Sequence, residues 1–207
     1  MDMTAGRSAS VSFMSLIHAI SAGDAAAARR LVAASPTLAT ERATGDVYLE
    51  EITHYLYGGD TALHIAAAAY QHDVARELIA MGGDVHARNR RGAQPLHYAA
   101  DGAPGSRAWD PHAQAATIAG LIEAGADPNA VDHSGVMPLH RAVRTRCAAA
   151  VKELLDGGAD PRRTNGSGST PMDLAMRNTG RGGTGSPDAK AQQQEIIRLL
   201  ERYRSTR

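Results

Sequence analysis

Apolar residues along this chain fall into short helical stripes separated by glycine-bearing turns. Phe13, Leu16, Ile17 and Ile20 share one face, Ser21-Ala22-Gly23-Asp24 breaks it, and Ala28, Leu31 and Val32 resume a second helix that Ser35-Pro36 ends. This predicts a helix–turn–helix hairpin. A late apolar pair marks the second helix of each further unit: Leu31-Val32, Leu78-Ile79, Leu121-Ile122, Leu154-Leu155 and Leu199-Leu200. Helix stops follow at Gly82-Gly83-Asp84, Gly125-Ala126-Asp127 and Gly158-Ala159-Asp160. Glycine suits these stops because it takes the left-handed cap conformation without steric cost.

A second signal runs in phase with the first. Gly59-Asp60-Thr61-Ala62-Leu63-His64 recurs as Gln94-Pro95-Leu96-His97, as Met137-Pro138-Leu139-His140 and as Thr170-Pro171-Met172-Asp173. The steps between copies are 33, 43 and 33 residues. These residues resemble the ankyrin repeat family, whose unit opens helix one with Thr-Pro-Leu-His and closes helix two with Gly-Ala-Asp. The resemblance implies an all-α solenoid of about five helix-turn-helix repeats with β-turn fingers. We place the repeats at about 11–38, 59–88, 89–130, 131–163 and 164–204, with residues 1–10 as a disordered N-terminus.

Departures from the 33-residue period locate insertions at about 41–57, 102–113 and 179–190. The first falls at the finger end of the stack, the other two in helix–helix loops at the opposite end. The first holds Tyr48, Tyr55 and Tyr57, and its run from Val47 to Tyr57 reads equally as a strand pair or a short helix. The second holds Trp109, expected to plug its loop onto the helices. Acidic Asp46, Glu50 and Glu51 face the run Arg88, Arg90 and Arg91, so an internal ion-pair patch is an alternative to a partner-facing one.

Charge narrows the function classes. There are 22 basic and 22 acidic side chains, a formal net charge of zero, so binding to nucleic acid through a global basic field is not expected. No apolar run approaches the ~18 residues of a membrane span, and the N-terminus lacks the layout of a secretory signal. Cys147 is the single cysteine, so neither an internal disulfide nor a cysteine zinc site can form. We expect a cytoplasmic monomer without cofactor.

The chemistry-bearing candidates mostly dissolve into structure. His64, His97 and His140 sit on neighbouring helices, roughly 8–10 Å apart, too far to share a metal at ~2 Å; the resemblance implies that they bond backbone and threonine at the helix start. Gly180-x-Gly182-x-x-Gly185 lacks the preceding strand that a dinucleotide site needs. Cys147 reads as a packing residue. Arg107, Arg146 and Arg181 are candidates for a basic ledge where insertions two and three flank the Arg144-Thr145-Arg146 loop.

The resemblance implies a non-catalytic protein-interaction scaffold that meets its partner with finger tips and first-helix ends. Carried onto this sequence, those positions are Tyr55, Tyr57, Asp60, Arg90, Arg91, Asp101, His133, Arg144, Ser167 and Arg177. The alternative is a small-molecule binder or hydrolase using the Tyr-rich insertion 46–57, with His54; a pocket at Tyr48, His54 and Tyr55 holding a strongly perturbed group would favour it.

Overall fold

A computed structural model describes residues 12–102, 109–177 and 187–205. Five helix pairs follow one another: α1 (Phe13–Ser21) with α2 (Ala25–Ala34), α3 (Ala62–Ala68) with α4 (His72–Ala80), α5 (Pro95–Ala99) with α6 (Pro111–Glu123), α7 (Pro138–Arg144) with α8 (Ala148–Asp156), and α9 (Pro171–Met176) with α10 (Pro187–Ser205). First helices pack on first helices and second on second, giving two parallel rows. Leu16, Leu63, Leu96 and Leu139 run through one row, Leu78, Leu121, Leu154 and Leu200 through the other, and all are essentially inaccessible. Small alanines between them, such as Ala66, Ala99, Ala142 and Ala150, are buried too and let the helices approach closely. Residues 1–10 lie outside the described residues, as do Arg107, Arg181 and the Gly180-x-Gly182-x-x-Gly185 run, so the ledge cannot be traced through its outer members.

The starts of α3, α5 and α7 are each fixed by a histidine. His64 Nδ1 accepts from the backbone N–H of Thr61 at 3.1 Å, and its Nε2–H donates to Ala93 O, one unit further on, at 3.2 Å. His97 does the same with Gln94 N and Val136 O, and His140 with Met137 N and Ser169 O. Asp173 keeps only the capping half: its carboxylate takes the N–H and hydroxyl of Thr170. Burial holds His64 down to about 3 and His97 to about 4, so both are neutral bridges and poor candidates for proton transfer near neutrality.

Fingers link in series. Asn89, Asp132 and Asn165 each fold their side-chain oxygen back onto two backbone N–H groups of their own turn. Successive tips join through Arg90 N–H to Gly58 O (2.8 Å), His133 N–H to Arg91 O (3.0 Å) and Gly166 N–H to Ser134 O (3.0 Å). Arg42 and Arg88 each bond one carbonyl of their own finger and one of the next: Arg42 to Gly59 O and Arg88 O, Arg88 to Gly92 O and Val131 O. Arg88 is thus spent on backbone, not on Glu50 or Glu51.

The first insertion is a strand pair. β1 (Val47–Leu49) and β2 (His54–Leu56) run antiparallel with Tyr48 opposite Tyr55. Alternation decides which side is buried: Leu49 and Leu56 point into the stack at 1% exposure each, while Tyr48 and Tyr55 stand out at 47% and 49%. The base of the hairpin is closed by Ala43 N–H to Asp60 O and Gly59 N–H to Ala43 O. Trp109 is tied to the start of α6: its indole N–H donates to Gln114 Oε1 at 2.9 Å, and Gln114 donates to Ala99 O; residues 103–108 of the second insertion lie outside the described residues. Cys147 is buried, with a thiol raised to about 11, mainly by burial.

Candidate functional site

The hairpin does not lie flat on the stack. Its tyrosines overhang the first-helix row and form one wall of a groove of about 520 Å³, which runs from Tyr48, His54 and Tyr55 past Tyr57 and Arg91 to Asp101 and Arg144. Tyr48 and Tyr55 are tilted with ring centroids 4.9 Å apart, and Tyr55 stacks on Tyr57 at 5.7 Å. Tyr57 is held in turn by arginines. The guanidinium of Arg91 donates to its hydroxyl at 2.9 Å and lies 5.0 Å from its ring centre, with Arg90 at 5.3 Å. Such cation–π contacts contribute roughly 0.5–1 kcal/mol at exposed sites, enough to order a ladder of three rings without anchoring it by burial.

Tyr98 floors the groove. Its hydroxyl donates to Asp60 Oδ2 at 2.7 Å, and Asn89 donates to Asp60 Oδ1 and to the Tyr98 oxygen, each at 2.9 Å. Asp60 also accepts the N–H of Tyr57 at 2.6 Å. Burial raises the Asp60 carboxyl despite these donors, and burial with the neighbouring carboxylate pushes the Tyr98 phenol far above its ordinary range. A perturbed group therefore does sit at Tyr48, His54 and Tyr55. Tyr98 stays protonated, and Asp60, whose shift by itself suits proton transfer, is 0% exposed and sealed behind it.

The far wall is charged. Arg141, mostly buried, donates to Asp101 at 2.8 Å and to Asp132 at 3.0 Å, and Arg144 stands 3.8 Å from Asp101. Burial would raise the Asp132 carboxyl, but the Val136 N–H and Arg141 outweigh it and hold it below its usual value. The Nε–H of Arg141 is buried without a partner among the described residues. Among those residues no three His, Cys, Asp or Glu side chains gather as a metal site.

Of the ten expected contact positions, the groove collects Tyr55, Tyr57, Arg91, Asp101 and Arg144. Asp60 needs correction. It is 0% exposed, because the hairpin folds over it and three donors saturate its carboxylate. Arg90 is exposed but makes a two-pronged ion pair with Asp46, whose Oδ1 it meets at 2.9 Å; it fastens the hairpin, as the internal-patch alternative holds. Glu51 faces His18 instead, at 3.9 Å. His133 and Ser167 are exposed finger tips beyond the groove lining, and Arg177 donates to Ser169 Oγ at 3.0 Å on the last unit. Sequence reasoning passed over Tyr98, Arg141 and Asp132. A signal existed: the residue after the helix-start histidine or aspartate is Ile65, Tyr98, Arg141 and Leu174, and two polar side chains intrude on an apolar position.

A model of the family "Ankyrin repeats (3 copies)" matches residues 16–106, and one of "Ankyrin repeats (many copies)" matches residues 121–175. The chain is an ankyrin-repeat protein. Ankyrin repeats are protein–protein interaction modules and are in general not catalysts. The E3 ubiquitin-protein ligase KEG of Arabidopsis thaliana is 36% identical to this ankyrin-repeat chain over 96 residues, 45% of this chain and 5% of that protein. The match therefore spans a small fraction of that relative's length. Among the described residues no helix is long and apolar enough to cross a membrane.

Proposed function

We propose that this ankyrin-repeat chain is a non-catalytic, monomeric binding module that clasps an extended segment of a partner protein under the tyrosine hairpin. The groove of about 520 Å³ between the hairpin and the first-helix row carries this reading. Tyr48 and Tyr55 supply flat contact area with few rotors to freeze, and arginine and tyrosine are the residues that most often dominate interfaces. Three of the large exposed apolar side chains among the described residues, Val47, Tyr48 and Tyr55, belong to this one hairpin. Arg91, Asp101 and Arg144 fix polarity along the groove, with His133 and Ser167 as outer finger-tip contacts.

The test is selection of binders from a random peptide library, followed by titration of the selected peptides into wild type, Tyr55→Ala/Arg91→Ala and the convex-face variant Arg76→Ala. The groove variant should lose at least tenfold in affinity, ~1.4 kcal/mol, while Arg76→Ala binds as wild type. Equal affinity for all three puts the contact elsewhere. The small-molecule reading keeps one supporting observation, the groove at Tyr48, His54 and Tyr55. Its weakness is access, since the perturbed groups there, Asp60 and Tyr98, are 0% and 1% exposed.

A further inference from the structure

The tyrosine hairpin is an unfinished sheet. Among the described residues β1 and β2 are its two strands, so β2 is paired on its β1 side only. Its other side gives onto the groove, which Thr53, His54, Tyr55 and Tyr57 all line, against Tyr48 alone from β1. We propose that the partner's extended segment enters as a third strand and pairs its backbone with the open edge of β2. The proposal rests on the groove reading and specifies how the segment is held.

Backbone direction supports that edge. Residues two apart in a strand turn their N–H and C=O groups the same way. Tyr57 sends its N–H out of the hairpin to Asp60 Oδ2 at 2.6 Å. Asp60 in turn bonds Tyr98 and Asn89, and both of these line the groove. Tyr55, two residues earlier, therefore turns its N–H and C=O to the groove side as well. Its carbonyl accepts from His54 Nδ1–H at 2.9 Å, and a carbonyl oxygen has a second lone pair to offer. One residue presenting donor and acceptor together is the rung on which an added strand starts, the mode by which extended peptides join exposed sheet edges.

The edge also lacks the usual guards. Lysine and proline are what proteins place on an edge to keep strands off it, and residues 46–58 contain neither. A hairpin on its own is marginal, and a third strand strengthens it. The walls set a pattern for the incoming segment, whose side chains alternate between two faces. One face meets the rings of Tyr55 and Tyr57, the other meets Asp132 and Arg141, so apolar and polar residues should alternate. A second copy of this chain fits badly. Its own β2 edge is recessed in its own groove, and two recessed edges cannot meet past the first-helix rows.

The probes are the library-selected peptides, remade with each amide in turn replaced by an ester and titrated into the full chain. An ester deletes one N–H without adding bulk, and the protein itself is left unaltered. Losses of about three- to tenfold, the worth of one hydrogen bond, should fall on one position or on alternate positions, with the positions between them within twofold of the parent peptide. Exchange of the Tyr55 amide, followed by NMR, should slow at least tenfold when the parent peptide binds. Esters tolerated everywhere, losses without alternation, or an unchanged Tyr55 amide overturn the third strand. A chain that sediments as a dimer with the Tyr55 amide already protected gives the edge to a second copy and overturns it too. Failure of the groove itself shows separately, as selected peptides insensitive to Tyr55→Ala/Arg91→Ala.

Discussion

His64 and His97 show how a residue that looks reactive is made inert. Each accepts one backbone N–H, donates to the next unit, and is buried so deeply that its imidazole stays neutral down to about 3 or 4. The unfolded chain protonates these groups near 6.5. Below that pH the unfolded state binds more protons than the folded one, so stability is complete above about 6.5 and is lost as pH falls toward 4. Each histidine can contribute up to about 1.4 kcal/mol per pH unit. Asp60, with its raised carboxyl, opposes the trend in acid. Urea unfolding should therefore show a loss of about 2–4 kcal/mol between pH 7.5 and 5.0. A flat profile over that range shows that the imidazoles protonate in place.

At the scale of elements, the hairpin depends on one glycine. Gly59 has φ +88°, and a Cβ there meets Asn89 Cα at 3.0 Å and Arg90 N at 3.3 Å. Gly58 next to it has only Arg90 Cδ at 3.7 Å and Asp46 Oδ1 at 4.0 Å. Gly59→Ala should cost more than about 1 kcal/mol by chemical denaturation, and Gly58→Ala close to nothing. Equal costs mean that the hairpin base can shift to absorb the methyl. The same element marks the limit of what the chain disclosed in advance. Helix stops, late apolar pairs and the Leu-His starts are local and repeated, so the helix pairs were legible. The run Val47–Tyr57 is too short for its alternation to separate strand from helix. Asp60 escapes local reading for a related reason: alignment with the other fingers puts it on the surface, while the hairpin over it and contacts with Asn89 and Tyr98, 29 and 38 residues away, bury it. The sequence allows Arg90 either role, and its choice of Asp46 over solvent depends on a hairpin conformation that no local pattern specifies.

Across the whole molecule each unit touches only its neighbours, so a defect should stay local. Leu154 is fully buried in the second-helix row of the fourth unit, and truncating a buried leucine costs about 2–5 kcal/mol. Leu154→Ala should speed amide exchange in α6, α7, α8 and α10 and leave α1 and α2 nearly unchanged by hydrogen-exchange mass spectrometry. Uniform acceleration along the chain means that the stack unfolds as one body. The helix-start histidines add a direction to this one-dimensional order. His64 reaches its acceptor 29 residues downstream, never upstream. On a ribosome adding 5–20 residues per second, its donor waits roughly 1.5–6 s before Ala93 exists. The second, third and fourth units are thus each finished by the one made after them, and that part of the stack closes in the order of its own synthesis.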